Sequence, residues 1–243
     1  MRYKITFSYD GTNFNGYQIQ PKLRTMQEEL EKAVSFINKK KPTEVVASGR
    51  TDKGVHAIEA VAHFDLNTTI TDTKLKLGLN SILPEDINVI KAERVDDNFH
   101  ARYNTKKKEY IYKINTLEYD PLTRNYIYQF NNKLDLKSMK KAIKYFKGTH
   151  DFTSFISSEE VRDDKVRTIY QTKISYKKGI ITISFIGDGF MKYQVRSMVG
   201  LLIEIGRAKK KPNEVERLLT KKNRTFSAKT APANGLYLKK VWY

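Results

Sequence analysis

Residues 2–9 alternate in character. Tyr3, Ile5, Phe7 and Tyr9 fall on one face, with Arg2, Lys4, Thr6 and Ser8 on the other. That two-residue period predicts a half-buried strand. The period then changes: Met26, Leu30, Ala33, Val34 and Ile37 recur every three or four residues, the spacing of one helix face. Thr25-Met26-Gln27-Glu28 opens this helix as a capping box. Two strand-like runs follow, EVVAS (44–48) and IEAVAHFDL (58–66), joined by the polar stretch SGRTDKGVHA (48–57). Leu75, Leu79, Ile82 and Leu83 stripe a second helix that ends before Pro84, and INVIKAERV (87–95) reads as a further strand. The order β-α-β-β-α-β is that of a split βαβ, or ferredoxin-like, unit.

The same order returns in the second half without the same sequence. EYIYKINT (109–116) predicts a strand, and YIYQF (126–130) an added one after the Asp120-Pro121 turn. A helix starts at Asp135 with Leu136, Met139, Ile143 and Phe146 on its face and Gly148 at its end. Strands around Thr168–Tyr176 and Ile180–Ile186 are joined by a Lys-Lys-Gly turn. Helices over 191–205 and 213–220 precede a closing strand, LYLKKVWY. The expected fold is therefore α/β, of the α+β kind. It has two βαββαβ halves, 1–104 and 105–243, whose similar sheets lie edge to edge as an extended, mainly antiparallel sheet, with helices on one face and a cleft between the halves.

Composition narrows the partners. The 243 residues hold 45 Lys plus Arg against 27 Asp plus Glu, a net charge of +18 that costs self-repulsion in the compact state and points to a polyanion, nucleic acid first. The 15 Tyr and 12 Phe, several beside lysines, offer stacking surfaces for unpaired bases. With no cysteine, the chain has no thiolate nucleophile, thiolate metal site or disulfide framework. The first residues lack an apolar signal core, and no run approaches the ~18 apolar residues of a membrane span, so a cytoplasmic protein is expected.

The four histidines, His56, His63, His100 and His150, show no metal-ligand spacing, so no metal is expected. His63 lies within a strand pattern and reads as a packing residue, while His56 is open between packing and function. The pairs Glu159-Glu160 and Asp163-Asp164 read as solvated surface, and GDGF (187–190) lacks the lysine and spacing of a P-loop.

What stands out is Asp52. A hairpin turn needs only Asp-Lys-Gly, yet this one also gathers Arg50, Thr51, Lys53 and His56 between apolar runs. Cations around a carboxylate keep it ionised, which suits a nucleophile or charge stabiliser better than a general acid. Turn residue and functional carboxylate both remain open readings. In KKKEYIYKI (106–114), Tyr110 and Tyr112 share one strand face behind Lys106, Lys107 and Lys108; this is half-buried packing beside surface charge, or a stacking ring beside a phosphate patch. Arg196 borders the apolar stripe of its helix. It either snorkels to water or pairs with a carboxylate, for which Asp52 is a candidate.

The segments SYDGTNFNGYQIQ, GRTDKGVHA, LNSILPEDI, FHARYNTKKKEYIY, DFTSF, GDGFMKYQVRSMVG and APANGLYLKKVWY, in this order from end to end, resemble the tRNA pseudouridine synthase A family. The resemblance implies an isomerase that converts uridine to pseudouridine at positions 38, 39 and 40 of the tRNA anticodon stem-loop. It implies a homodimer with no cofactor and no metal. It also places the family's catalytic aspartate on Asp52, its active-site tyrosine on Tyr110 and its aspartate-pairing arginine on Arg196. Arg50 then attends the flipped base, Leu236 packs near the target uracil, and Lys53 with Lys106, Lys107 and Lys108 are candidates for RNA contacts. One departure is Gly16-Tyr17-Gln18, where many members have Gly-Trp-Gln. A paralogue acting on another RNA site, or an RNA binder without catalysis, remains the alternative.

Overall fold

The N-terminal alternation becomes strand β1 (Arg2–Tyr9), with Tyr3, Ile5, Phe7 and Tyr9 buried, in the computed structural model of the chain. The structure describes residues 1–158, 160, 163–226 and 229–243; Glu159 of the Glu159-Glu160 pair lies outside the described residues. Two compact units divide the chain, Met1–Lys106 with Tyr237–Tyr243 and Lys107–Leu236.

In the first unit β1 is followed by α1 (Met26–Ile37), β2 (Val46–Ala47), β3 (His56–Asp65), α2 (Asp72–Ile82) and β4 (Ile87–Arg94). Strand β1 pairs antiparallel with both β3 and β4, and β2 pairs antiparallel with β3, so the order β4-β1-β3-β2 is that of the split βαβ unit. The apolar stripes of α1 and α2 close the core: Met26, Leu30, Val34, Leu75 and Leu79 are fully buried along with Tyr3, Ile5 and Phe7. Ile82, expected on the buried stripe, is exposed at the end of α2.

Thr25 does stand at the start of α1, but the capping box is not made. Its hydroxyl gives no cap bond and is buried without a partner among the described residues, and Glu28 turns to Lys32 at 2.8 Å. Backbone does the capping instead: Met26 N–H donates to the Gly16 carbonyl (3.2 Å) and Gln27 N–H to that of Tyr17 (2.9 Å).

The second unit comprises β5 (Lys107–Asn115), β6 (Tyr128–Gln129), α3 (Leu136–Ala142), β7 (Gly148–Asp151), β8 (Val166–Lys177), β9 (Ile180–Gly187), α4 (Gln194–Gly206) and α5 (Glu214–Lys221). Its strands run antiparallel in the order β5-β9-β8-β7, with β6 a short parallel partner of β5. The β8–β9 turn uses Lys178 (φ 48°) and Gly179 (φ 80°), left-handed residues suited to a tight hairpin. Asp135 caps α3 by accepting from Lys137 N and Ser138 N, and past Ala142 the helix tightens into a 3-10 turn, Ile143–Phe146. The pattern at 148–151 predicts no strand. Strand β7 forms there because the twelve-residue β8 offers Val166–Ile169 as an edge to pair with.

The chain's last strand, β10 (Leu236–Trp242), was expected with the second half. Tyr237 and Leu238 pair parallel with His56 and Ala57 of β3, in the first unit. Across the ten named strands the pairing is mainly antiparallel, as expected for this α/β class. Among the described residues, no helix is long and apolar enough to cross a membrane, and no group of three metal-ligating side chains is found.

Two predictions follow from the cores. Phe146 is fully buried, with ring centroids 5.2 Å from Phe155 and 6.0 Å from Phe185, so Phe146→Ala should cost about 3–5 kcal/mol, read as a lowered urea midpoint. Burial lowers the His63 imidazole below its ordinary value, helped by the nearby charge of Arg2 and by His100. The unfolded chain therefore takes up this proton more readily, and stability should fall as pH drops below about 6.5. His63→Gln should flatten that part of the stability–pH curve; an unchanged slope would assign it to other groups.

Candidate active site

SGRTDKGVHA connects β2 to β3. Ser48 N–H donates to the Val61 carbonyl at 2.8 Å and continues the ladder, after which the chain leaves the sheet. Val55 N–H donates to the Asp52 carbonyl (3.2 Å) across a turn that includes Gly54 at φ 76°. The turn reading of this stretch is thus realised.

It is also anchored far more firmly than a turn requires. The hydroxyls of Tyr9 and Thr51 share a hydrogen bond of 2.7 Å, Tyr17 N–H donates to the Thr51 carbonyl (3.1 Å), and Gly54 N–H to that of Phe14 (3.4 Å). A Cβ on Gly11 would stand 2.0 Å from the Val55 oxygen, and one on Gly16, which has φ +93°, 3.1 Å from the Thr51 oxygen. Only glycine permits that approach. Burial pushes the Tyr9 and Tyr17 phenols well above their ordinary value, so both stay neutral. The Tyr17 hydroxyl is buried without a hydrogen-bond partner among the described residues.

Asp52 is half-buried at the end of this scaffold, while Arg50 and Lys53 are exposed on either side. His56, the residue left open above, is buried at the base of the loop with its ring stacked 4.8 Å from Tyr237. Its Nδ1 is 3.0 Å from the Gly11 amide nitrogen and 3.1 Å from an Asp10 carboxylate oxygen. It accepts from the amide when neutral and pairs with the carboxylate when protonated. His63 proves a packing residue, its Nδ1 accepting from Ala101 N–H at 3.1 Å.

In the second unit Tyr110 lies opposite Phe185 in the β5–β9 ladder and meets Phe190 edge-on at 5.2 Å. Arg196 sits in the first turn of α4, entered through Tyr193 at φ 65°. Its Nε donates to the Ala231 carbonyl (2.8 Å), its own carbonyl accepts from Ala231 N–H (3.0 Å), and its guanidinium carbon is 5.1 Å from the Tyr193 ring centroid. Tyr112 donates to the Pro232 carbonyl at 2.8 Å, and burial holds its phenol well above the usual range. Leu236 is buried directly after Gly235, where a Cβ would stand 2.7 Å from the Lys113 oxygen and 2.8 Å from the Tyr112 ring.

Asp52, Arg50, Lys53 and Lys106 thus belong to the first unit, and Lys107, Lys108, Tyr110, Arg196 and Leu236 to the second. Sequence reasoning missed Tyr9, Thr51 and Tyr17 as supports of the loop, since Tyr9 reads as one more buried strand residue. Gly11 and Gly16, in SYDGTNFNGYQ, were the available signal.

A sequence profile described as tRNA pseudouridine synthase matches residues 5–104 and 142–243. The chain belongs to the tRNA pseudouridine synthase family. It is 44% identical over 243 residues to a tRNA pseudouridine synthase A of a Geobacillus species and 45% over 242 residues to that of Anoxybacillus flavithermus, covering all of this chain and 98% of each relative. It is also 47% identical over 248 residues to the enzyme of that name from Limosilactobacillus reuteri, covering all of this chain and 96% of the relative. The protein is accordingly an isomerase that makes pseudouridine in tRNA. Asp52, Arg196 and Leu236 lie within the matched segments, and Lys106, Lys107, Lys108 and Tyr110 between them.

If the Tyr9–Thr51 bond orders the loop of this synthase, Tyr9→Phe and Thr51→Val should each cost about 1 kcal/mol, a roughly fivefold fall in kcat/KM. The double variant should lose no more than either single one, since both remove the same bond. Multiplied losses would show that the two hydroxyls act separately.

Proposed function

We propose that this synthase isomerises uridines 38, 39 and 40 of the tRNA anticodon stem-loop, as a cytoplasmic homodimer, with Asp52 as its nucleophile. The observation that carries the reading is the loop: a half-buried carboxylate on a turn whose neighbours Thr51 and Gly54 are tied to residues 9–17, with Arg50 and Lys53 exposed beside it. Such an anchor is superfluous for a connection between strands. It suits a group that must meet a reacting atom without reorganising.

The target uridine first leaves its stack. The Asp52 carboxylate bonds to C1′ as the C1′–N1 bond breaks, and the uracil departs with the electron pair. The ring turns, C5 bonds to C1′, and the carboxylate is released. The proton on C5 is lost and one is gained at N1, so the product is an isomer and the chemistry calls for no oxidant or reductant. Tyr110 stacks on the uracil while it is detached, Leu236 packs near it, Arg196 and Arg50 bind the flipped nucleotide, and Lys53, Lys106, Lys107 and Lys108 meet phosphates.

Asp52→Ala should bind tRNA with little change and release no tritium from C5-labelled uridine, whereas persistent release would remove the nucleophile. Tyr110→Phe keeps the ring and should bind normally; slower turnover would assign proton movement to the hydroxyl, and equal rates would leave the residue a stacking role alone. Mapping pseudouridine in RNA from cells with and without the gene tests the substrate. Loss confined to the anticodon stem-loop is the expected outcome, and loss elsewhere would favour the paralogue.

A further inference from the structure

The turn after β4 holds a feature that the isomerisation does not use. Tyr103 is 77% exposed, and its ring stacks on His100 with centroids 4.2 Å apart and planes 27° from parallel. His100 lies 4.8 Å from His63, His63 lies 6.1 Å from Phe99, and Phe99 lies 4.9 Å from Tyr243. Five rings thus form a connected series in the first unit, with His63 buried, Phe99, His100 and Tyr243 half-buried and Tyr103 exposed at one end.

An exposed tyrosine alone is ordinary. This one is held outward by the turn beneath it. Ala101 is fully buried, its N–H donates to His63 Nδ1 (3.1 Å), and its carbonyl accepts from Tyr243 (2.7 Å) and Thr105 (2.8 Å) hydroxyls. Asn104 closes the turn in both directions: its side-chain oxygen accepts from His100 N–H, and its N–H donates to the His100 carbonyl at 3.0 Å. His100 Nδ1 accepts from the N–H groups of Arg102 and Tyr103, each at 3.2 Å, which fixes the imidazole under the phenol. Burial raises the Tyr243 phenol to about 12, so it remains a donor at neutral pH. Arg102 and Lys106 are exposed on the same turn and form no ion pair among the described residues.

We propose that Tyr103, backed by His100, is a stacking platform for an unpaired base of the RNA substrate, with Arg102 and Lys106 meeting the adjoining phosphates. The proposal rests on the reading of the substrate as a tRNA stem-loop. A ring ordered before binding loses little conformational freedom when a base covers it. Stacking tolerates any base, so the platform adds affinity for unpaired RNA rather than sequence choice.

The test compares equilibrium binding of an anticodon stem-loop RNA and of a fully paired RNA duplex to the full chain and its variants. Tyr103→Ala should weaken stem-loop binding by about tenfold and leave the duplex within twofold, while Tyr103→Phe and Tyr103→Trp stay near wild type. Arg102→Ala should lower the dependence of stem-loop affinity on salt, reducing the slope by about 0.7 for a single-stranded phosphate contact. Unchanged stem-loop binding by Tyr103→Ala would overturn the platform. So would equal losses on both RNAs, or a change in oligomeric state with unaltered RNA affinity, which would make this turn a protein interface. The wild-type protein separates the two readings: if it prefers the stem-loop to the duplex and Tyr103→Ala keeps that preference, the platform alone fails, whereas no wild-type preference for the stem-loop would overturn the substrate reading on which the platform rests.

Discussion

Close backbone approach governs the first unit. The segment that leaves β1 passes the Asp52 loop at a distance that leaves no room for side chains, with a Cβ at Gly11 falling 2.0 Å from the Val55 oxygen. The same segment supplies the Tyr17 N–H that holds Thr51 and the Gly16 and Tyr17 carbonyls that cap α1. It also reaches toward β4, where Asp10 N–H donates to the Asp86 carbonyl at 3.0 Å and Arg24 grips the Asp86 carboxylate through two bonds of 2.6 and 2.9 Å. Strand, helix and loop are therefore tied together by one stretch of nine residues, 9–17.

The second unit solves a comparable problem with different residues. A Cβ on Gly200 would fall 1.9 Å from the Lys229 oxygen, so α4 lies directly against the segment that leads to Leu236. Arg196 ties that segment down twice, through side chain and backbone, to the one residue Ala231. The Tyr112 hydroxyl, kept neutral by burial, serves as a donor to Pro232. These bonds give Arg196 a structural duty alongside any role toward RNA, and its replacement disturbs position as well as charge.

Periodicity made most of this fold legible. The alternation of β1, the stripes of α1, α2 and α4, and the Lys-Lys-Gly turn each state their element locally. What escaped depends on partners distant in sequence. Strand β7 exists because β8 extends past its neighbour, and β10 pairs with β3 across more than half the chain. Thr25 marks the start of α1 by its conformation, yet its hydroxyl is unused because carbonyls from residues 16 and 17 had taken its task. The Asp52 loop stands out in the sequence for the opposite reason: local charge and glycine around it exceed what a turn needs. Its supports were not, because a tyrosine that anchors a loop and one that fills a core look alike in a strand.

The charge excess also takes a specific form. Several arginines are committed to structure: Arg2 holds Asp65 at 2.7 Å, Arg24 holds Asp86 at 2.6 Å, and Arg217 pairs with Glu214. Each such pair consumes one cation and one anion and leaves the net charge of +18 untouched. The surplus is therefore carried by side chains outside these pairs, such as exposed Arg50, Lys53, Arg102 and Lys106. A cation that is already well paired gives up an existing bond to meet a phosphate, whereas a solvated one releases only water and counterions. Arg2 and Arg24 thus serve the scaffold, while Arg50, Lys53, Arg102 and Lys106 stay solvated, where a polyanion meets them at less expense.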